Sequence, residues 1–410
     1  MEPVFGWTLL SPDAIRRAEA RLREEIQGVR DEIGFLFLHQ AYADRFFPGT
    51  SVQQTRLRYA LFVPWIYLRV AALDRQRRNR NSIEKLILDE EVRLTGRLLN
   101  SKETDGVIGK RVYGQKRPSS QPATLVYWSA LASWGLLRPL DDGSIPSRAA
   151  VHRVLATETR GSRLHDDDGV PLDQAHIVFA NLPAPPQAWN NSSEPITFQL
   201  RECERSFLRR QLLTTRRADG EPSLLARLAT DPEKVSATYP WNKQVLTVAD
   251  PQDRSALERA RRAASLAAVG RGIYACLVEE LRERRDGLKT SSWHRDNLQS
   301  VIDEHRQRAL ELDMSCLGQD APGLPGFFTA VLKETQRWLE DARDPMVLLP
   351  FYSVAERRRK GNRARLAPTP IGRQRRAEWE NEGHPLAQPL HYRWAIVKRM
   401  LVDLNNNGRG

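Results

Sequence analysis

Cysteines and long apolar runs are scarce in this 410-residue chain. Both features argue against particular classes of protein, namely disulfide-rich, cysteine-zinc and membrane-spanning proteins. Cys203, Cys276 and Cys316 are widely separated and form no C-x-x-C pair, which argues against a disulfide framework and against a cysteine zinc site. The longest uncharged apolar run, residues 59–68, has about half of the roughly 20 residues that a membrane span needs. The first residues lack the basic-then-apolar order of a signal peptide. We therefore expect a cytoplasmic protein without membrane contact.

Motifs for common chemistry are also missing. The stretch GVIGKR at residues 106–111 lacks the first glycine and the hydroxyl residue of a phosphate-binding loop. The eight histidines include no H-x-x-x-H pair, and the chain has no G-x-S-x-G elbow. These absences disfavour an enzyme and predict no cofactor and no bound metal. A metal-dependent nuclease with divergent motifs stays a third-ranked alternative.

Positive charge is abundant and unevenly spread. The net charge is +12, of which residues 51–118 and residues 351–410 carry +8 each, while the rest of the chain sums to −4. Two basic segments on a mildly acidic body are typical of a surface that binds a polyanion, most often nucleic acid. Arginine outnumbers lysine 53 to 10. Because a GC-rich genome produces the same bias, a merely solvated basic face is the alternative interpretation.

Helix signals run along the whole chain. Ser11, Ser82 and Ser223 each have the position of an N-cap before an apolar-periodic stretch. Amphipathic patterns predict further helices over residues 33–44, 253–285, 291–312 and 326–342, with a last one near the C-terminal end. The sequence therefore predicts a mainly α protein with small β-ribbon elements, built from several helical lobes.

The most apolar stretch is FFPGTSVQQTRLRYALFVPWIYLRV, residues 46–70. Within it, Ser51 and Gln54 have the spacing of a capping box and predict a helix that begins there. Pro64 lies inside that helix and predicts a kink or a break.

The same stretch carries a polar helical face with Gln53, Arg56 and Arg58. These residues form a possible anion site. The alternative is that the arginines pair with buried acids such as Asp44, and this internal pairing is the preferred interpretation.

Residues 82–150 show the order helix, loop, helix, ribbon that is typical of a winged helix. Ser119 and Ser120 offer N-caps for the proposed recognition helix, and Gly135 ends it. The stretch LLRPLDDGSI predicts a ribbon with its turn at Asp142 and Gly143.

These patterns predict a set of nucleic-acid contacts. Basic side chains before the recognition helix would meet phosphates, and the helix N-terminus would add an anion contact. Polar residues on its first turns would face a groove, and the basic C-terminal segment would add sequence-independent affinity. The candidates are, in that order, Lys110, Arg111, Lys116 and Arg117; Ser119 and Ser120; Gln121 and Thr124; and Arg357, Arg358, Arg359, Lys360, Arg363 and Arg365.

Composition also predicts domain boundaries. The Pro/Asn/Ser-rich stretch at residues 181–195 has the composition of a linker. The predicted order is an N-terminal helical region at 1–81, a winged-helix-like region at 82–180, the linker at 181–195, a helical domain at 196–345 and a basic segment with a terminal helix at 346–410.

Four blocks together resemble an uncharacterised bacterial family, the domain-of-unknown-function family 6361. They are FFPGTSVQQTRLRYALFVPW, IGKRVYGQKRPSSQPATLVYWSALASWGL, AASLAAVGRGIYACLVEE, and RRRKGNRARL with LHYRW. The third block departs from the family pattern, which tends to be more apolar where Arg271 and Cys276 stand here. The resemblance implies no known activity. Family members sometimes occur with helicases and methyltransferases of anti-phage systems, which implies such subunits as partners and a DNA-linked accessory role.

The leading hypothesis is therefore a non-catalytic DNA-associated accessory protein, a component of a bacterial defence system, that contacts nucleic acid through its basic segments. The second hypothesis is a structural subunit whose arginines meet an acidic protein partner. Because charge alone does not separate DNA from an acidic protein surface, both stay open here.

Overall fold

The protein is described by a computed structural model that places residues 33–73, 82–103, 105–140, 142–157, 178–191, 194–232, 236–379 and 386–406. Helices make up the regular structure of these ranges, so the mainly α prediction is confirmed. Two isolated β-bridges, Leu137 to Phe179 and Arg216 to Pro222, are their only β pairing. The helix predicted at Ser11 and the basic stretch at residues 74–81 lie outside the described residues.

The chain divides into two compact units. Unit 1 comprises residues 1–39 and 261–390, and unit 2 comprises residues 40–260 and 391–410. The division follows contacts in space and therefore joins segments that are distant in sequence. The five domains expected from composition stay a prediction.

Unit 2 contains most of the shorter helices. Its described helices are α2 (Tyr59–Ala71), α3 (Ile83–Asn100), a 3₁₀ turn (Lys110–Gln115), α4 (Ala123–Val126), α5 (Trp128–Ser133), α6 (Arg148–Thr157), α7 (Gln187–Asn190), α8 (Glu202–Leu213), α9 (Leu224–Thr230), α10 (Lys243–Leu246) and α17 (Trp394–Asn405). α1 (Phe35–Phe46) and α11 (Pro251–Glu280) cross the division between the units.

The described helices of unit 1 are longer on average. They are a π-helical turn (Leu281–Arg285), α12 (Trp293–Leu310), α13 (Met314–Asp320), α14 (Gly326–Glu340), a 3₁₀ turn (Pro345–Leu348), α15 (Leu349–Lys360), a second 3₁₀ turn (Gly361–Arg363) and α16 (Pro370–Ala377). The predicted helices at residues 253–285, 291–312 and 326–342 are all present, within a few residues of the expected ends.

Two of the predicted N-caps are confirmed by their hydrogen bonds. Ser82 accepts from the backbone N–H of Lys85 at 3.1 Å, and Ser223 accepts from that of Ala226 at 3.2 Å. Each serine therefore satisfies a backbone donor that the first helical turn leaves without a partner.

The helix predicted to begin at Ser51 is wrong in its start, because α2 begins only at Tyr59. The N–H groups of Thr55 and Arg56 donate to the hydroxyl of Tyr127 at 2.9 and 3.0 Å. A side chain distant in sequence thus takes the donors that a helix would have used. α2 then runs through Pro64 as one continuous helix.

The core of unit 2 is an aromatic cluster on α2. Phe62 stacks on Trp189 with ring centroids 5.8 Å apart, and Trp65 meets the same indole edge-on at 5.4 Å. Phe198 closes the cluster against Tyr59 and Phe62. These side chains are buried, and aromatic pairs of this geometry add about 0.5–1.5 kcal/mol beyond their buried area.

In the core of unit 1, an aromatic ring packs closely against a glycine of α11. A Cβ on Gly270 would lie 2.4 Å from the ring of Phe35, so only glycine admits this ring against α11. Phe35 in turn packs edge-on against Phe328, with centroids 5.4 Å apart. On the other side, the hydroxyls of Tyr352 and Thr335 share a buried hydrogen bond of 2.7 Å.

The predicted wing is not formed in the described residues. Around Gly143, which has a φ of +77°, the chain makes a tight turn with two backbone bonds of 2.8 Å, from the Gly143 N–H to the Leu140 carbonyl and from the Leu140 N–H to the Ser144 carbonyl. The predicted recognition helix is two short helices, α4 and α5, separated at Tyr127. Tyr127 lies at this break, and its buried hydroxyl also donates to the Arg56 carbonyl at 2.8 Å. Gly135 ends α5 as expected, with a φ of +69°.

Unit 1 is expected to lose stability in mild acid through His305. Burial lowers the pKa of His305, which is 1% exposed, below its ordinary value near 6.5. Below that value the unfolded chain binds a proton that the folded chain excludes, so stability falls as the pH falls. We expect His305→Gln to flatten urea-unfolding midpoints measured between about pH 7 and about pH 5.

The control for this prediction is His391→Gln, because His391 is exposed. It should leave the pH dependence unchanged. The interpretation is contradicted if His305→Gln and the unaltered chain lose stability equally over the same range.

Candidate functional site

The basic loop, defined here as residues 108–117, is fixed to unit 2 at its first residue. The Ile108 N–H donates to the hydroxyl of Tyr59 at 3.0 Å, and its carbonyl accepts from the hydroxyl of Thr95 at 2.9 Å. Gly109 follows with a φ of +84°, a conformation that favours glycine. The chain then makes the 3₁₀ turn Lys110–Gln115. The loop therefore has a defined backbone.

Tyr113 fixes the middle of the basic loop. Its ring lies against α3 at Gly96, where an added Cβ would be 2.2 Å from the tyrosine hydroxyl and 2.7 Å from Cζ. This contact is possible only because Gly96 has no side chain. A glycine in the interior of α3 lowers the stability of the helix by about 1 kcal/mol relative to alanine. In exchange, it allows the ring of Tyr113 to approach the helix closely.

The four basic side chains of the loop are directed to solvent. Lys110, Arg111, Lys116 and Arg117 are all exposed. Within the described part of the chain, Arg111, Lys116 and Arg117 have no carboxylate partner. The backbone is thus held from below by α2 and α3 while these last three cations face the solvent.

A small, open cleft lies beneath the loop. Tyr59, Glu91 and Thr95 form its inner wall, and Tyr113 and Arg117 form the outer wall. The inner wall consists of groups that already bond to protein atoms. The cleft is therefore the contact zone between the basic loop and α3, and we assign it no ligand.

The predicted anion contact at the recognition helix is replaced by an internal one. The carboxylate of Glu91, 7% exposed, accepts from the N–H groups of Ala123 and Thr124 at 3.1 and 2.7 Å. Burial raises the pKa of Glu91, and the bonds from Thr124 and Ala123 oppose that rise. A protein carboxylate thus occupies the place at the N-terminus of α4 that a phosphate would have taken.

The four polar residues predicted as contacts near the start of α4 differ in their exposure to solvent. Ser119 is half-buried and accepts from the N–H of Gln121 at 3.2 Å, so it does not cap α4, whose N-cap is Pro122. Ser120 is exposed and Gln121 is half-buried. Thr124 is fully buried, and its prediction as a groove-facing residue is wrong because α4 turns that side inward.

The basic C-terminal segment lies in unit 1 and is similarly divided. Arg357 and Arg358 are exposed in the last turn of α15, while Arg359, Lys360 and Arg363 are half-buried. The guanidinium of Arg359 covers the ring of Phe37 at 4.6 Å. Only part of the predicted basic cluster is therefore a surface feature.

Arg365 is a structural residue. It is 7% exposed, its guanidinium lies 5.2 Å from the ring of Trp379, and its Nε donates to the Arg375 carbonyl at 3.2 Å. The buried carboxylate of Glu356 receives the N–H groups of Arg365 and Leu366 at 2.9 and 2.7 Å. The turn after α15 is therefore tied back to that helix.

The possible anion site in the apolar stretch is occupied by protein carboxylates. Arg56 forms a bidentate pair with Asp403 at 2.8–3.0 Å, and the Leu57 N–H donates to the same carboxylate. Arg58 pairs with the fully buried Glu204 at 2.9 Å. Gln53 is exposed and stands apart from both pairs.

The geometry favours internal pairing of these arginines, as the sequence had suggested, but with different acids. The partners of Arg56 and Arg58 are Asp403 and Glu204. Asp44, the acid named as an example, pairs instead with Arg393 at 2.6 Å.

Sequence reasoning missed a second use of arginine, in which the guanidinium bonds to several backbone carbonyls. Arg97, 8% exposed, donates to the carbonyls of Trp189, Asn191 and Glu194 at 2.7–3.0 Å, and also to that of Ala188. These bonds fasten the predicted linker segment to α3. The net charge of a segment does not reveal this role, because a buried arginine that bonds to carbonyls and an exposed arginine each add one positive charge.

No group of three or more His, Cys, Asp or Glu side chains among the described residues could hold a metal ion. None of the described helices is long and apolar enough to cross a membrane.

Comparison with known proteins gives one match. The sequence profile of a family described as "Family of unknown function (DUF6361)" matches residues 3–315. Neither the curated proteins nor the solved structures give a significant match. The match includes the first three sequence blocks and the whole basic loop, whereas RRRKGNRARL and LHYRW lie beyond its end. Because the profile covers more than half of the chain, the protein belongs to the DUF6361 family.

Proposed function

We propose that this protein is a non-catalytic, DNA-associated accessory protein that contacts the phosphate backbone through its basic loop. The observation that supports the proposal is the contrast between two kinds of arginine. Arg56, Arg58 and Arg97 bond to protein acceptors, whereas Arg111 and Arg117 are exposed and have no carboxylate partner among the described residues. Cations left without internal partners on a fixed loop suit a polyanion.

The way the loop is held favours binding to phosphates. Tyr113, Gly109 and the bonds of Ile108 fix the backbone before any partner arrives. Binding would then order only the long side chains, at about 0.5–1.5 kcal/mol each. No winged helix is required, because backbone contacts of this type depend on charge and position and carry no sequence information.

A second contact region is proposed in unit 1, where Arg357 and Arg358 are exposed. Partner subunits such as a helicase or a methyltransferase of a defence complex belong to the same proposal. Their support is the association implied by the sequence resemblance, which carries no mechanism by itself.

The alternative function is that of a structural subunit whose loop meets an acidic protein. The same cations would serve it, so geometry does not separate the two. Direct binding to a DNA duplex does, and its affinity should fall steeply and linearly on a logarithmic salt scale, because such binding releases condensed counterions.

The test is fluorescence anisotropy with a labelled DNA duplex over a range of salt concentrations. We expect binding at low salt by the unaltered chain. The triple variant Arg111→Gln, Lys116→Gln, Arg117→Gln should reduce the magnitude of the salt slope by about 3, one for each lost phosphate contact.

The matched control removes three exposed arginines elsewhere in unit 2, as Arg138→Gln, Arg210→Gln and Arg216→Gln. This control has the same net charge as the loop variant, so an effect of total charge would appear in both. Absence of binding by the unaltered chain at low salt contradicts the DNA proposal, and equal slopes in the two triple variants contradict the assignment to the loop.

A further inference from the structure

The solvent face of α15 and of the 3₁₀ turn before it is apolar. Val347, Phe351 and Val354 are 60%, 41% and 53% exposed. The opposite face carries the buried residues Tyr352 and Ala355, which pack into unit 1. The helix is therefore apolar on both sides over two turns, although the solvent side of a surface helix is usually polar.

The exposed apolar residues form one stripe with charged ends. Their separations of four and three residues are those of the contact positions in a paired helix. Asp344 precedes the stripe by three residues, Arg358 follows it by four, and both are exposed. The surface, called here the α15 stripe, therefore runs from an acid through three apolar residues to an arginine.

This order of charges is complementary to itself. Asp344, the N-cap of the 3₁₀ turn, precedes Phe351 by seven residues, and Arg358 on α15 follows it by seven. If a second α15 lay antiparallel across the first with the two Phe351 rings at the centre, each Asp344 would face the Arg358 of the other copy. Such a contact repeats the same pairs twice about a two-fold axis.

We propose that the α15 stripe is a self-association surface and that its occupant is the same stripe of a second copy of this chain. The apolar centre supplies the attraction and the charged ends fix the antiparallel direction. Three side chains per copy place the contact at the small end of protein interfaces. We therefore expect a reversible dimer with a dissociation constant on the order of 10–100 µM.

The surface lies outside residues 3–315, the part of the chain that the family profile matches. It is also separate from the basic loop, which belongs to unit 2. The proposal therefore does not depend on the basic loop, although Arg358 also belongs to the second DNA contact region proposed in unit 1.

Sedimentation velocity of the full chain tests this proposal. The expected result is a shift from monomer to dimer as the concentration rises through the range above. Phe351→Asp places two like charges at the centre of the contact and should weaken association by at least about 100-fold, to monomer at every concentration used. The matched control is Ile371→Asp, which removes another exposed apolar residue of unit 1, 45% exposed, and should dimerise like the unaltered chain.

Charge exchange distinguishes the antiparallel contact from other arrangements. Arg358→Asp alone and Asp344→Lys alone should each weaken the dimer about tenfold, and an equimolar mixture of the two variants should associate again, since each copy then offers the charge the other lacks. Circular dichroism of each variant checks that α15 remains folded.

Three outcomes overturn the proposal. The first is a monomer at every concentration, which would leave a different protein as the partner of the stripe. The second is a dimer that Phe351→Asp leaves intact. The third is equal loss of association in Phe351→Asp and Ile371→Asp.

Discussion

Replacing Arg376 with methionine is expected to destabilise unit 1 by about 3–5 kcal/mol. Arg376 is 1% exposed and pairs with Asp286 through two bonds of 2.6 and 2.8 Å. The same guanidinium also donates to the carbonyls of Ala367, at 3.0 Å, and Arg365. Methionine fills much of the volume but leaves a buried carboxylate and two buried carbonyls without donors. This loss exceeds what any exposed arginine of the chain can produce.

The measurement is hydrogen exchange followed by mass spectrometry, because it reports the opening free energy of unit 1 separately from unit 2. Peptides covering the π-helical turn and α16 should show the loss. The matched control is Arg375→Met, at the neighbouring position, whose pair with Glu378 has both side chains 39% exposed. An exposed pair of this kind contributes about 0–1 kcal/mol.

A second variant tests the cause of the loss. Replacing Asp286 with leucine in the Arg376→Met background removes the unpaired carboxylate, so the double variant should recover part of the stability. The interpretation is contradicted if Arg376→Met and Arg375→Met lower the opening free energy of unit 1 equally. It is also contradicted if the double variant loses the full sum of the two single losses, because Arg376 and Asp286 would then act independently.

Arg376 also shows why charge patterns in the sequence overstate the basic surface. The C-terminal segment contributes +8 to the net charge. Arg365 and Arg376 are nevertheless buried, and Arg359 covers Phe37. Whether an arginine is a surface cation or an internal brace depends on which carbonyls and acids the fold brings to it. Those acceptors come from distant parts of the chain, so local sequence does not reveal them.

Local signals, by contrast, predicted local structure well. The caps at Ser82 and Ser223 and the helix end at Gly135 are as expected, because each depends on neighbouring residues only. The wrong start of α2 has a distant cause, the Tyr127 hydroxyl. It bonds to backbone groups 71 and 72 residues away, and no periodicity within a window shows such a contact.

The candidate site follows the same rule. Lys110, Arg111, Lys116 and Arg117 are exposed, as a run of basic residues beside glycine and proline suggests. Glu91 could not be identified as the residue at the N-terminus of α4, because its 33-residue separation from Thr124 leaves no pattern. Glu91 is nonetheless the reason that the phosphate contacts are proposed for the basic loop and not for that helix end.

Gly96→Val is expected to release the basic loop from α3 and to weaken DNA binding from outside the loop. Its Cβ would lie 2.2 Å from the Tyr113 hydroxyl, and the ring must leave. Overpacking of this kind costs about 1–3 kcal/mol. Because Tyr113 is half-buried, the ring can move outward, and we expect the loop to open while α3 remains folded.

Limited trypsin digestion measures this opening directly, since the chain can be cleaved after Lys110, Arg111 and Lys116, whereas Arg117 is protected by the following Pro118. A cost of about 2 kcal/mol raises the open population, and with it the cleavage rate, about 30-fold. DNA affinity should fall about tenfold in the same variant, because the cations must then be ordered again on binding. The matched control is Gly114→Val in the same loop, where an added Cβ meets nothing within 4 Å. It should change neither quantity by more than about twofold.

The two readouts separate the structural claim from the functional one. Faster cleavage with unchanged DNA affinity would support the contact between Gly96 and Tyr113 but contradict a role of the loop in DNA binding. Unchanged cleavage would show that Tyr113 does not hold the loop, and the argument for a pre-ordered binding element would fail with it. Faster cleavage together with weaker binding at an unchanged salt slope is the result that ties the glycine of α3 to the phosphate contacts, because the same cations then bind at a greater ordering cost.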